Sequence, residues 1–366
     1  MRAIGGFQIF PMIYSAAIIT PSDYILRNTL STWFMDRGDD ISFSGCLNTV
    51  PRSYSIDARM DITADGSRGP VYSRLMSLFA ALGGNQWRRK DNWGVGDPCF
   101  QGWYGVECDC HGNIIRLSLI DNSLQGTIPA ELGQITSLSE IYLHNTVKAS
   151  PGYMNPYAND IVGPMPNLGG LSSLRVLDIS LNSIESLPVD IHSNTNLEVL
   201  SATGNRITSL PNGLGNLVKL RILELEDNQI AGIFPISQVC NLASLYIFNV
   251  GNNSLTGQLI DSSFCLRSLD PLIFDISGPH PSSVGSYNSL TGNVPKSLVD
   301  TWSNIGQGYL SVYQQFGLVG DVPDACMDLR FCYTSNFMAH GNLAWVAGNA
   351  GDVPQVVYDT IGLATQ

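Results

Sequence analysis

The stretches LRVLDISLNSIESLP (residues 174–188), LEVLSATGNRITSLP (residues 197–211) and LRILELEDNQIAGIFP (residues 220–235) share one frame. Apolar residues and one asparagine recur at fixed offsets, a proline closes each stretch, and the frame reads LxxLxLxxNxLxGxIP. Upstream it is filled by Ile114, Leu117, Leu119, Asn122, Leu124, Gly126, Ile128 and Pro129, and downstream by Leu245, Phe248, Val250, Asn253, Leu255 and Gly257. Unit starts fall 23 to 25 residues apart wherever nothing intervenes. A period in this range marks an array of stacked units.

Two units are split. The second opens with Leu138, Ile141 and Leu143 and resumes at Asn159, Ile161, Gly163, Met165 and Pro166. Asparagine is due at position 146, so residues 146–158 read as an insertion. The seventh opens near Pro271, Phe274 and Ile276 and resumes at Asn288, Leu290, Gly292, Val294 and Pro295, with residues 278–286 inserted. Both insertions follow the strand, where a loop can bulge without breaking a stack. They read as functional loops or as tolerated surface insertions. An eighth, worn unit keeps GLVGDVP (residues 317–323) but has Phe316 where asparagine belongs.

The physics of the frame is direct. LxLxx is a short strand whose alternate side chains face opposite ways. Inward leucines form the core, and strands of successive units pair in parallel. The asparagine can satisfy backbone groups at a dry turn. One unit cannot bury its leucines alone, so stacking supplies the core and the ends need caps.

Upstream, Leu75, Leu78, Phe79 and Leu82 have helical spacing, and Gly83-Gly84 supplies a stop. Then come Trp87, Asn92-Trp93, Asp97-Pro98-Cys99 and the run Trp103-Tyr104-Gly105-Val106-Glu107-Cys108. This segment resembles the amino-terminal cap of plant-type extracellular leucine-rich repeat proteins. The paired tryptophans and the Trp-Tyr-Gly-Val run look like the version common in protist and bacterial members. The resemblance covers roughly Tyr72 to Pro323. The third and fourth units lack the glycine of the frame and look more generic. The fold expected is an α/β solenoid: a curved, right-handed leucine-rich repeat superhelix with a parallel β-sheet on its concave face and a disulfide-bearing cap. The resemblance implies that Cys99 and Cys108 form that disulfide.

Among the other cysteines, Cys326 and Cys332 look like a closing cap pair. Cys240 and Cys265 hold equivalent places in neighbouring units, where either a disulfide or two buried thiols would fit. Cys46 and Cys110 have no assignable partner. Paired cap cysteines argue for an oxidising compartment. The domains read as a secretory signal or buried apolar segment (residues 1–17), an unassigned region (18–70) whose Arg37-Gly38-Asp39 reads as a polar turn, the cap (71–113), the repeats (114–323), and a closing cap and tail (324–366). The uncharged stretch from Ala3 to Pro21 is interrupted by Gly5, Gly6, Gln8 and Pro11, which argues against a membrane span, and no other uncharged apolar run approaches the roughly 20 residues a span needs. Membrane association would need an anchor in a longer parent chain.

Nineteen Lys and Arg against 31 Asp and Glu give a formal net charge of −12. Such a surface repels phosphate backbones, which argues against nucleic acid as a partner. The histidines show no metal-ligand spacing, and no phosphate loop, nucleophile elbow or kinase signature occurs. Neither catalysis, a metal nor a cofactor is expected.

Strand residues that do not face inward line the concave face: Arg116, Ser118 and Ile120; Glu140, Tyr142 and His144; Val176, Asp178 and Ser180; Val199, Ser201 and Thr203; Ile222, Glu224 and Glu226; Ile247, Asn249 and Gly251. One column, Ser118, Tyr142, Asp178, Ser201, Glu224 and Asn249, is polar throughout. It reads as a face that binds a protein, peptide or glycan, with a basic partner favoured by charge, or as a merely solvated sheet. Asn252-Asn253-Ser254 is an N-glycosylation sequon. The family resemblance implies an extracellular or cell-surface recognition module. The alternatives are the ectodomain of a receptor enzyme such as a receptor-like kinase, or a structural surface component. Peptide mapping of the secreted, non-reduced protein should link Cys99 to Cys108 and place the mature terminus near Ile18. Free cap thiols with Met1 or Arg2 retained would instead indicate an intracellular scaffold.

Overall fold

The computed structural model describes residues 69–147, 155–259, 273–276, 288–293, 309–311, 317–319 and 331–333. The array begins with the helix Pro70–Ala81. Proline can open a helix because its missing N–H would be unpaired there anyway. The helix ends as the sequence requires, with Gly83 in the left-handed region (φ 68°). Leu75, Leu78 and Leu82 are fully buried.

Behind this helix the cap is an aromatic stack. Trp93 lies with its ring centroid 4.9 Å from Trp87 and 5.0 Å from Trp103, and Phe79 and Tyr72 close the two ends. Each indole N–H finds a carbonyl: Trp87 donates to Leu82, Trp93 to Tyr104 and Trp103 to Val95. Buried tryptophans require such partners. The Cys99–Cys108 disulfide is formed, with Cα atoms 5.7 Å apart. Gly105 shows why the Trp-Tyr-Gly-Val run needs glycine. Its φ is +77°, and a Cβ there would meet the Ser118 carbonyl oxygen at 2.2 Å.

The main sheet has ten strands: Val106–Cys108, Ile114–Ser118, Glu140–Tyr142, Val176–Asp178, Val199–Ser201, Ile222–Glu224, Ile247–Asn249, Ile273–Asp275, Tyr309–Ser311 and Phe331–Tyr333. The cap strand pairs antiparallel with the first repeat, and every later pair is parallel. In register across the sheet, Leu117, Ile141, Leu177, Leu200, Leu223 and Phe248 all enter one continuous core. The ladder runs past Pro323, and its last strand falls in the segment that the sequence reading assigned to the closing cap. Cys332 holds the core-register position opposite Leu310. Its expected partner Cys326 lies outside the described residues. Cys240 is disulfide-bonded rather than a free thiol, and Cys265, its expected partner, also lies outside them.

On another side, the segments after the asparagines form two smaller parallel sheets. One holds Gln125–Gly126, Asp160–Pro164 and Ser183–Ser186. The other holds Ala231–Ile233, Ser254–Leu259, Ser289–Asn293 and Gly317–Val319. The break falls at the fourth unit, one of the two in which the frame's glycine is missing.

The asparagines knit the units together. Asn205 Nδ2 donates to Ala202 O in its own unit and to Ile179 O in the unit before, at 3.0 and 3.1 Å. Its Oδ1 accepts the Ile184 N–H at 3.0 Å. Asn182, Asn228 and Asn253 repeat this arrangement. The residue just before each of the four adopts positive φ: Leu181, Gly204, Asp227 and Asn252, between 49° and 67°. Asn159 bonds Leu119 O and Leu143 O, and Asn288 bonds Val250 O and Ile276 O. Both split units therefore recover their ladder asparagine after the insertion.

Replacing Asn205 by alanine strands buried donors and acceptors in two adjacent repeats. A loss of about 3 kcal/mol is expected, since each unpaired buried group costs about 1–3 kcal/mol. Urea unfolding of the full chain checks this, and an effect under about 0.5 kcal/mol would refute the ladder's role.

Candidate functional site

The candidate site is the face of the ten-stranded sheet turned away from the core. In each strand the residues flanking the inward leucine point to this face, so the frame itself delivers side chains at fixed intervals. At the cap end, Arg116 bridges two carboxylates. Its Nε lies 2.6 Å from Glu140 Oε2 and its Nη1 2.7 Å from Glu107 Oε2. Tyr142 Oη donates to the same Glu140 oxygen at 3.1 Å. Burial works against the charge on Arg116, yet Glu140 and Glu107 outweigh it and hold the guanidinium firmly protonated. Burial, then the charge of Glu140, pushes the Tyr142 hydroxyl well above its ordinary value, so it is a neutral donor.

One repeat further on, His144 Nδ1 lies 3.0 Å from Asp178 Oδ2. Burial alone would raise the Asp178 carboxyl. The charge and hydrogen bond of His144, with the Ser180 amide and hydroxyl, overcome this and hold it below the usual carboxylate value. The chain of contacts continues from Ser180 Oγ to Ser201 Oγ (2.8 Å) and from Ser201 Oγ to Glu224 Oε2 (2.9 Å). Beyond it, Asn249 Nδ2 donates to Glu226 Oε2 at 2.9 Å. The polar column is thus a set of linked pairs crossing from repeat to repeat.

The structure brings together Arg116, Glu140 and Tyr142, then His144, Asp178, Ser201 and Glu224, and separately Glu226 and Asn249. Arg116, Tyr142 and His144 remain partly open to solvent, while Ser201, Glu224, Glu226 and Asn249 are buried. Two of the acids expected to attract a basic partner, Glu140 and Asp178, are already paired within the chain. The sequon residue Asn252 is buried, and its Nδ2 donates to the Asp227 carboxylate. In the folded chain that nitrogen is engaged, so a glycan would have to be added before this turn closes.

Sequence reasoning missed four participants. Glu107 belongs to the cap strand, outside the repeat register, and only its antiparallel pairing with Arg116 brings it in. Asp121 fastens both ends of the first insertion: its carboxylate accepts the Thr146 N–H at 3.1 Å and Asn155 Nδ2 at 2.6 Å. Asn145, one place before the expected asparagine, closes the neck by exchanging hydrogen bonds with the backbone of Asn159. Its position was the available signal. Tyr157, on the returning arm, carries Arg88 of the cap 4.0 Å above its ring. Among the described residues, no group of three or more His, Cys, Asp and Glu could hold a metal ion, and no helix is long and apolar enough to cross a membrane.

With this geometry in view, the family match and one superposition bear on the fold. Residues 195–237 match the family model for leucine-rich repeats in two copies. The chain carries leucine-rich repeats, and its architecture is that of a leucine-rich repeat solenoid. A stretch of 102 residues is 28% identical to Receptor-like kinase TMK2 of Arabidopsis thaliana; it covers 28% of this chain and 10% of that protein's length. The crystal structure of a plant ice-binding protein superposes with a TM-score of 0.54 at 23% identity, covering 78% of this chain and 92% of the other. The ectodomain of the receptor kinase GASSHO1/SCHENGEN3 from Arabidopsis thaliana, solved with CASPARIAN STRIP INTEGRITY FACTOR 2, gives a TM-score of 0.46 at 24% identity over 71% of this chain and 34% of the other.

The Asp178 carboxyl gives a pH prediction. A folded value held below the unfolded one contributes stability that is present above the unfolded value of about 3.9 and is lost as pH falls through the folded value. Asp178→Asn should therefore be less stable than the parent at pH about 6, and the gap should close as pH falls through the lowered folded value. Thermal unfolding across that range checks it, and a gap that persisted in acid would rule the pairing out as the cause.

Proposed function

We propose that this chain is a non-catalytic recognition module that binds a protein or peptide, or a glycan, through the outward face of its ten-stranded sheet. The observation that carries the reading is the linked polar column. Arg116, Tyr142 and His144 stand partly open at its cap end, held in place by Glu107, Glu140 and Asp178. Preorganised donors and one aromatic anchor are what a binding patch requires. The formed cap disulfide supports an extracellular or cell-surface location.

The local identity to a receptor-like kinase favours one variant of this reading, in which the chain is the ectodomain of a receptor enzyme. That match spans a tenth of the relative's length, so a kinase portion belongs to the proposal alone. A transcript that continues from this sequence into an apolar span and a kinase signature would establish it.

The test is a screen of the full chain against extracellular peptides, proteins and glycans, followed by titration of any binder against Tyr142→Ala and His144→Ala. Each substitution is expected to weaken binding by about tenfold or more, as anchor residues do. A binder indifferent to both, and to Arg116→Ala, would place the site elsewhere.

A further inference from the structure

The sequence sets lysine or arginine residues side by side at a single place, Arg88-Arg89-Lys90 in the cap. All three are exposed. A run of charge is commonly a solvated face, but this one is held in place. The Arg88 N–H donates to Asn122 O at 3.1 Å and the Arg89 N–H to Asn122 Oδ1 at 2.7 Å, while Asn122 Nδ2 donates to Arg89 O at 2.9 Å. The first ladder asparagine therefore fixes the backbone of the run. Two rings fix the side chains. The Arg88 guanidinium lies 4.0 Å above the centroid of Tyr157, and that of Arg89 lies 3.9 Å above Tyr104. A guanidinium held over a ring still has its N–H edge to offer a carboxylate.

These cations are also largely uncompensated. Arg89 Nε lies 3.3 Å from Asp91 Oδ2, and Lys90 Nζ donates to the Asn85 carbonyl. Among the described residues, no carboxylate pairs with Arg88 or Lys90. The other acids of this region serve their own loops: Asp97 accepts the Cys99 and Phe100 N–H groups, and Asp121 holds Thr146 and Asn155. Arg116 on the sheet face is the contrast, since two carboxylates already bind it. Beyond Lys90 the cap loop exposes two apolar side chains, Val95 at 58% and Phe100 at 73%. Asn92 Nδ2 donates to Gln101 O and Gly102 O and so ties the two stretches of that loop together.

We infer that this cap surface is a second docking site, and that it takes an acidic peptide segment bearing an aromatic or aliphatic side chain. Fixed, uncompensated cations on a chain of net charge −12 select carboxylates. Val95 and Phe100 select a partner with apolar side chains, which a polysaccharide or a nucleic-acid backbone lacks. A long polyanion or an anionic membrane would also meet the acidic remainder of the chain. A short segment meets only the charges within about 8 Å, the screening length at physiological salt. The first insertion gains a task in this arrangement. Tyr157 stands on its returning arm, where its carbonyl accepts the Ser123 N–H at 2.8 Å. The arm thus supplies the ring over which Arg88 rests, and Tyr157 is a positioning residue. The surface belongs to the cap loop and the insertion arm, so it does not rest on the binding role proposed for the sheet face.

The test uses the full chain and four probes: a synthetic peptide of glutamates around one phenylalanine, the same peptide with lysines for glutamates, a sulfated polysaccharide, and phosphatidylserine vesicles. The acidic peptide is expected to bind, and Arg88→Ala/Lys90→Ala to weaken it by about tenfold, as loss of two exposed charge pairs allows. Added salt should weaken the parent complex and change that of the double variant little. Phe100→Ala should weaken binding as well. Tyr157→Ala should weaken it with the charge of Arg88 intact, and Tyr157→Phe should restore it. All these side chains are exposed, and thermal unfolding checks that each variant keeps the parent's fold. No binding of the acidic peptide, or equal binding by the double variant, overturns the inference. So does tighter binding of the lysine peptide, the polysaccharide or the vesicles. Tyr142→Ala should leave the acidic peptide bound as before. A loss there would move the peptide to the sheet face and overturn the cap site alone.

Discussion

The amide of one asparagine per repeat is the interaction on which the rest of the structure depends. Each repeat turns sharply inside its own core, where water cannot serve the backbone. A side chain with two donors and an acceptor resolves this for two repeats at once. Asn205 reaches Ile179 O, Ala202 O and the Ile184 N–H, so it ties its own turn to the one before. Removing water from backbone groups is tolerable only when they are paired. The leucines supply most of the driving force, but they would accept many arrangements. The asparagine accepts one, and so fixes the register in which the leucines stack.

Because each unit leans on its predecessor, the first unit needs a substitute predecessor. The cap provides it in the same currency of backbone pairing. Asn122 exchanges hydrogen bonds with Arg89, as a ladder asparagine would with the preceding repeat. The tryptophan stack closes the apolar end, and the antiparallel strand Val106–Cys108 covers the edge of the sheet. An uncovered edge would invite pairing with other chains. That strand also carries Glu107, so the cap contributes one wall of the candidate site.

The sheet face follows from the same periodicity. Leucines that alternate inward force their neighbours outward, and stacking sets those neighbours in columns about 4.8 Å apart. At that spacing side chains of successive repeats pair with each other. Burial then acts on the charges: Glu140 is held by Arg116 and Tyr142, and Asp178 by His144. Of the two acids in the polar column, Asp178 faces His144 and Glu224 accepts from the Ser201 hydroxyl.

The sequence by itself determined the repeat, its period, the inward leucines, the ladder asparagines and the cap, because each depends on residue type at a fixed offset. Its frame also singled out Asn159 and Asn288, which make the ladder hydrogen bonds of the two split units. It did not reveal that the ladder of strands continues to Phe331–Tyr333, where the consensus has worn away and backbone pairing alone keeps the register. Nor did it reveal that Asn145 and Asp121 secure the first insertion. Which outward residues are open was decided only by the tertiary structure. Val199 and Ile222 occupy the same register column as Arg116, yet they are buried while Arg116 is partly open. Offset within a strand fixes the direction of a side chain, whereas exposure depends on what else the chain brings to that surface, and no local pattern carries that information.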